Sequence, residues 1–410
     1  EEPAPPETWS HLSIDLIGSD HPGIVRDVSA ALARHGLSIE SMATERRDAP
    51  MSGGRLFEAH LLVRVPPDVD PADVFFSTTD DKGILLQAND VFVRLSRYSR
   101  GELLGAPHNI VRHPDMPAGV FHAMWRMLQE GQPFVGYIRN RAQDGSAYDV
   151  LAAVSPLPDG GYLSVRIPPL TDFFGVARSI YYGMNDLEHG LRKEGAGRRE
   201  AGERGAGRLD EELVGRGYPS YEQLQWEILP TEVEERERRA PAPVLPEGAP
   251  GRHGELIHEV RGLFGELNEF MAAQQDMLGT IAALEQASRR LEEETAASVR
   301  VTGEMNRLDV DGPERILLLA PLQVWATMHG IVTDHVNDLN RLLQKLHEVG
   351  ARTRFHIALA RLHATMAADF VGRLDEESVA GSRLADTLPP LITALLGGVR
   401  EMATQVAEHQ

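Results

Sequence analysis

Prolines 107 and 117 bracket the run Pro107-His108-Asn109-Ile110-Val111-Arg112-His113-Pro114-Asp115-Met116-Pro117, which limits the local fold more than any other stretch of the chain. Proline fixes φ and drives its predecessor out of the α region. The run is therefore expected as a rigid loop, followed by an aromatic-rich helix through Phe121-His122-Ala123-Met124-Trp125. Such a loop holds Arg112, His113 and Asp115 in fixed directions, which suits a ligand carrying phosphate or ribose. Equally, Asp115 can cap the helix and make the run a plain turn. The local chemistry leaves both readings open.

Around the loop the periodicity changes twice. Val74–Thr79, Ile84–Ala88, Phe134–Arg141, Ala147–Ser155 and Gly161–Ile167 read as strands, with turns at Asp80–Gly83, Gln143–Gly145 and Pro158–Gly161. Short helices over Asp90–Leu104 and Pro117–Glu130 lie between them, so residues 74–168 are expected as one antiparallel sheet with a ligand pocket on its concave face. Before this segment, after an acidic, Pro-rich tail at 1–8, a β-α-β-β order is read at His11–Ser19, Ile24–His35, Leu37–Arg47 and Arg55–Val65.

After it comes a helix over Thr171–Glu194, expected as a connector spanning 169–194. Residues 195–253 follow, rich in Gly, Arg, Glu and Pro, and read as a flexible linker carrying one short docking helix at Tyr218–Leu229. From Glu255 the chain is helical. Leu256, Val260, Leu263, Leu267, Phe270, Gln274, Met277, Ile281, Leu284, Ser288 and Leu291 keep strict 4-3 spacing, which predicts a coiled-coil or bundle seam within 254–410 and, through it, a homodimer. Further helices are expected near Arg315–His329, Ile331–Val349, Ala351–Leu374 and Ser382–Glu408. The fold class is multidomain α+β.

Composition removes several functions. With no cysteine, disulfides, thiolate metal sites, iron–sulfur clusters and thiol switches are excluded, so a redox role needs a cofactor. A formal charge of −20 argues against a nucleic-acid or anionic-membrane surface. The N-terminus is acidic rather than basic and then apolar, and no apolar run reaches the length of about 20 residues needed for a membrane span. A soluble cytoplasmic protein is expected. No GxGxxG after a strand, P-loop, HExxH or nucleophile elbow is present, so no enzymatic activity is expected.

The pieces "STTDDKG" (Ser77–Gly83), "QANDVFVRLSRYSRGELLG" (Gln87–Gly105), "PHNIVRHPDMP", "FHAMW" and "RNRAQDG" (Arg139–Gly145) make residues 75–167 resemble the PAS domain of bacterial aerotaxis receptors. That family holds FAD noncovalently and reports its redox state. Asn89, Arg112, His113, Asp115, Phe121, Trp125 and Asn140 match its flavin residues without a gap from Asn89 to Asn140. The chemistry of each is compatible. Arg112 can pair with a pyrophosphate or stack on a ring, Phe121 and Trp125 offer flat faces, and Asn89 and Asn140 both donate and accept. Some PAS domains hold heme through an axial histidine, and His108, His113 and His122 keep heme as an alternative cofactor.

The β-α-β-β unit, through "GSDHPGIV" (Gly18–Val25) and "APMSGGRLFEAH" (Ala49–His60), resembles ACT domains of the glycine-cleavage regulator type, shortened by a second helix and fourth strand. That resemblance implies an amino-acid site at Asp20, His21, Pro22, Gly23, Ile24 and Val25, on the amide groups that open a helix. Together these features predict a flavin-based sensor of redox state or oxygen that signals to its C-terminal helices. In the aerotaxis family the partner is a histidine kinase. A heme gas sensor, a scaffold without redox role and an amino-acid-responsive regulator are the competing expectations.

Overall fold

A computed structural model describes residues 10–34, 38–48, 55–65, 70–158, 160–240, 245, 251–305 and 314–372. The first unit is a three-stranded antiparallel sheet of β1 (Ser10–Ser19), β2 (Ser38–Asp48) and β3 (Arg55–Val65), with α1 (Ile24–Arg34) between β1 and β2. Its order is β1-β3-β2, so β3 is central. Phe57, Ala59, Leu61 and Val63 point to one side of β3 and are buried with Ile24 of α1, as a period of two requires. The expected β-α-β-β order is present.

The second sheet holds β4 (Phe75–Thr79), β5 (Leu85–Ala88), β6 (Phe134–Arg141), β7 (Ala147–Pro156) and β8 (Tyr162–Ile167) in the order β5-β4-β8-β7-β6, every neighbour antiparallel. Between β5 and β6 lie α2 (Asp90–Ser96), α3 (Arg100–Leu103), a 3-10 turn at His108–Val111 and α4 (Ala118–Gln129). Both faces of this sheet are buried. Phe75, Phe134, Ile138, Val150, Ala152 and Val154 face α2–α4. Their strand neighbours Phe76, Val135, Tyr137, Leu151, Ala153, Val165 and Ile167 face the opposite way, into a second core.

The helices that follow are α5 (Phe173–Lys193), α6 (Arg198–Gly215), α7 (Tyr221–Arg239), α8 (Gly251–Met305) and α9 (Glu314–Gly372); α5, α7, α8 and α9 build the second core, while Leu209 and Leu213 of α6 join the first. Helix α7 docks on the edge strand β6, where Gln225 Oε1 accepts from Val135 N at 3.0 Å and Tyr221 Oη donates to Val135 O at 2.9 Å. The outward backbone N–H and C=O of Val135 on this edge strand are thereby used up. Glu232 of α7 is fully buried and accepts from Tyr137 Oη at 2.6 Å, Thr171 Oγ1 at 2.7 Å and Leu170 N at 2.8 Å. Burial and this carboxylate push the Tyr137 phenol far above its ordinary pKa.

Two expectations change. Residues 198–239 are two helices rather than a flexible linker with one short helix. The glycines of α6 allow a contact that larger residues would block: a Cβ on Gly202 would sit 2.6 Å from the His122 ring, and one on Gly119 of α4 would collide with the Gly205 backbone. Close packing, not helix propensity, holds α6 in place. The three helices expected over 315–374 are one helix, α9, with Pro321 inside it, and the seam of α8 packs on α9 as a hairpin. Along that seam Val260, Leu267, Ile281 and Ser288 are buried, and Ser288 Oγ donates to Asn340 Oδ1 at 2.6 Å. The tail at 1–8 and the helix expected at Ser382–Glu408 lie outside the described residues. Among the described residues no helix is long and apolar enough to cross a membrane.

Candidate functional site

Between the inner face of the second sheet and α4 lies a cavity of about 460 Å³, in the size range of small-molecule pockets. The proline-bracketed loop forms one wall. It is pinned to both sheet edges: Ile84 bridges Pro107, Arg112 bridges Asn140, and His113 N donates to Arg139 O at 3.3 Å. Arg112 donates to Met116 O at 2.9 Å, and its guanidinium lies 4.1 Å from the centre of the Phe121 ring. Trp125, one turn further along α4, meets Tyr162 edge-on at 5.4 Å. Gly83, at φ +77° in the turn opposite, leaves the indole edge uncovered by a side chain. Phe121, Met124 and Trp125 thus give the cavity an apolar, aromatic wall.

The polar groups come from the sheet. Asn140 on β6 is buried, its Nδ2 has no hydrogen-bond partner, and Ser164 Oγ on β8 is buried in the same condition. Arg166, two residues on from Ser164 and on the same face, is buried as well. Its guanidinium donates to Ser77 Oγ at 3.2 Å and contacts His108 Nε2. It faces the Phe92 ring at 5.2 Å, and no carboxylate among the described residues lies within ion-pair distance of it. Burial pulls its pKa down to about 10, which leaves it charged at neutral pH. Burial, and then the charge of Arg166, push His108 well below its ordinary value, so its ring is neutral. The cavity therefore combines aromatic surface with a buried cation and unused donors.

Of the residues singled out from the sequence, Arg112, Phe121, Trp125 and Asn140 line this cavity together. His113 faces a second, outer cleft beyond Arg112. Its Nδ1 accepts from Asp115 N at 3.1 Å, and burial, with Arg139 nearby, holds its pKa down to about 4. Asp115 lines neither space. It is exposed and does not cap α4; that task falls to Glu188 of α5, which accepts from Ala118 N and Gly119 N, both at 2.8 Å. Asn89 also lies off the cavity. It is the N-cap of α2, with Oδ1 accepting from Phe92 N at 3.1 Å and Phe76 N at 3.2 Å and Nδ2 donating to Val74 O at 3.0 Å, so its amide is fully used by backbone.

His108, expected only as a candidate heme ligand, lines the cavity too, and so do Ser164 and Arg166, which strand pattern and spacing do not single out. The stretch Asp20–Val25 forms the turn between β1 and α1 (Asp20–Gly23) and the first residues of α1 (Ile24 and Val25); Asp20 Oδ2 pairs with Arg46 at 3.3 Å, His21 is exposed and Gly23 takes φ +90°.

Comparison with known proteins gives the class of the cavity-bearing segment. Residues 85–164 match the PAS fold family, and this segment is a PAS domain. Over 113 residues, 27% of this chain and 22% of the relative, the chain is 41% identical to the aerotaxis receptor of Escherichia coli (strain K12). Over 89 residues, 22% of this chain and 18% of the relative, it is 32% identical to the nitrogen fixation regulatory protein of Klebsiella pneumoniae. The chain thus spans about a fifth of the length of these relatives. Among solved structures, the light state of the blue-light photoreceptor Aureochrome1 LOV is 20% identical with a TM-score of 0.24, covering 26% of this chain and 88% of that one.

Proposed function

We propose that the PAS cavity binds a flavin, FAD, and that the chain senses redox state or oxygen and passes the result to the helices on the far side of its sheet. The observation that carries this reading is the unsatisfied polar floor beside an aromatic wall. Asn140 Nδ2 and Ser164 Oγ are buried without partners, and Arg166 is a buried cation with no acid to neutralise it. Buried polar groups of this kind cost several kcal/mol unless a ligand pairs with them. A flat, acceptor-rich ring meets that need, and a flavin's pyrimidine edge is one. The resemblance to aerotaxis receptors implies the same ligand.

In this reading Trp125 and Phe121 cover the ring and exclude water, Asn140 and Arg166 hold its polar edge, and Arg112 closes the mouth of the cavity. A bound flavin supplies a redox centre whose polar edge changes protonation with oxidation state. Arg166 stays charged throughout and favours a negative edge, while Asn140 can offer either end of its amide to whichever form is present. The backbone of β6 carries any resulting shift to Tyr137 and Glu232 on the opposite face.

Purification of the full chain tests this directly. A yellow protein whose visible flavin absorption is bleached by dithionite and restored by air is expected. A colourless protein that takes up no FAD would remove the reading, and a Soret band would replace flavin with heme.

A further inference from the structure

Outside the cavity, the space between α4, α5 and α6 forms a second cleft of about 1140 Å³. It shares Asn109, Arg112, Phe121 and Trp125 with the inner cavity as a common wall. The cleft is basic in a chain of charge −20: its lining includes five arginines, Arg112, Arg126, Arg192, Arg198 and Arg199, against three glutamates. The three glutamates, Glu130, Glu188 and Glu203, offset only part of it. Glu188 is spent on the α4 backbone, and Glu203 pairs with Arg199 at 2.9 Å. Arg126 reaches Asp210 at 3.7 Å, while no acid among the described residues pairs with Arg192 or Arg198.

The placement of Arg198 and Arg199 is itself unfavourable. They open α6, where the helix macrodipole disfavours cations, and the N-cap Gly197 supplies no side-chain acceptor. The guanidinium groups of Arg192 and Arg198 thus line one cleft beside the start of α6, an arrangement that an anion with several oxygens satisfies. His122 and His189 also line the cleft.

We propose that α5 and α6, which lie outside the matched PAS segment, supply the far wall of the cofactor site, with Arg192 and Arg198 receiving the diphosphate of the ADP half of a dinucleotide. The inference rests on the flavin reading of the inner cavity. It adds that the ligand passes the shared wall at Arg112 and Trp125 and ends between α4 and α6. Cofactor affinity is then set in part by helices beyond the PAS sheet, and occupancy fastens α6 to α4.

The test strips the purified full chain of flavin and titrates it with FAD, FMN and riboflavin, following flavin fluorescence, for the natural chain and an Arg192→Gln/Arg198→Gln variant. Both substitutions lie on exposed surface, and circular dichroism verifies that the helices remain. The natural chain is expected to prefer FAD to FMN by at least about tenfold, through charge-assisted contacts to the second phosphate. The variant is expected to lose that preference while its FMN and riboflavin affinities stay unchanged, and its FAD binding should depend less on salt. Equal affinity for FAD and FMN in the natural chain, or a preference that survives the double substitution, overturns this inference and leaves the flavin reading standing. Failure of all three flavins to bind overturns both.

Discussion

The Glu188 carboxylate on α5 lies 2.8 Å from the amide nitrogen of Gly119, the second residue of α4, although 69 residues separate them in the chain. With its other oxygen on Ala118 N, Glu188 satisfies two of the four orphan donors that any helix start presents. Its charge is placed at the positive end of the α4 dipole, beside the guanidinium of Arg112. The start of the helix that bears Phe121 and Trp125 is therefore held by a residue from outside the PAS sheet.

Removing that carboxylate should show its contribution. Glu188→Ala is expected to lower the unfolding free energy by about 1–3 kcal/mol, since two buried donors lose their acceptor. Glu188→Gln should cost less, because one oxygen still accepts. Urea denaturation of both variants checks the order, and an alanine variant as stable as the natural chain would deny Glu188 this role.

Asn89 and Trp125 should separate by the kind of loss they cause. Trp125→Ala is expected to release flavin from a chain that remains folded. Asn89→Ala removes three backbone contacts and a helix cap, so a stability loss of about 1–2 kcal/mol is expected, with flavin affinity of the folded protein nearly unchanged. Thermal melts alongside flavin content per mole of protein distinguish the two. Loss of flavin from a fully stable Asn89→Ala protein would return Asn89 to the cofactor.

Arg166 is a buried cation whose hydrogen-bond partners among the described residues, Ser77 Oγ and His108 Nε2, are neutral. Replacing it with an unbranched apolar residue relieves that burial, so flavin-free Arg166→Met is expected to be as stable as the natural chain or more stable by about 1–3 kcal/mol. Its flavin affinity should fall by at least about tenfold. A destabilised variant that binds flavin normally would make Arg166 a structural residue only.

Acid should loosen the second core through His363 of α9, which is buried with Nε2 unpartnered and whose pKa burial lowers to about 4. The unfolded chain takes up this proton below about pH 6.5, whereas the folded chain resists until about pH 4. The neutral ring's contribution is therefore complete above pH 6.5 and is lost as pH falls to 4, by about 3 kcal/mol in all. His356, also held to about 4, acts with the same sign. Urea midpoints across this range should fall with pH, and His363→Met should flatten the slope.

Much of this fold is legible in the short apolar runs and the turn residues of 74–168, because both faces of the sheet are buried and Gly83, Gly145 and Gly161 sit at positive φ in their turns. The position of Arg166 is not. In Tyr162-Leu163-Ser164-Val165-Arg166-Ile167 the alternate polar residues read as a water-facing side, whereas that side faces the cavity. Asn89 is a plain N-cap directly ahead of Asp90-Val91-Phe92, and local capping chemistry accounts for it before any ligand does. Helix α6 is illegible for a different reason. Arg-, Glu- and Gly-rich composition carries no apolar stripe of its own, and its order comes from close approach to α4 at Gly119 and Gly205.

Along β6, Ile138 and Asn140 line the cavity, while Val135 and Tyr137, at odd-numbered positions just before them, are gripped by Gln225, Tyr221 and Glu232 of α7. The wall that meets a ligand and the wall that meets the long helices are thus one polypeptide strand seen from its two sides. In the proposed flavin reading, a ligand that displaces β6 therefore acts directly on the strand whose Val135 backbone and Tyr137 hydroxyl α7 holds.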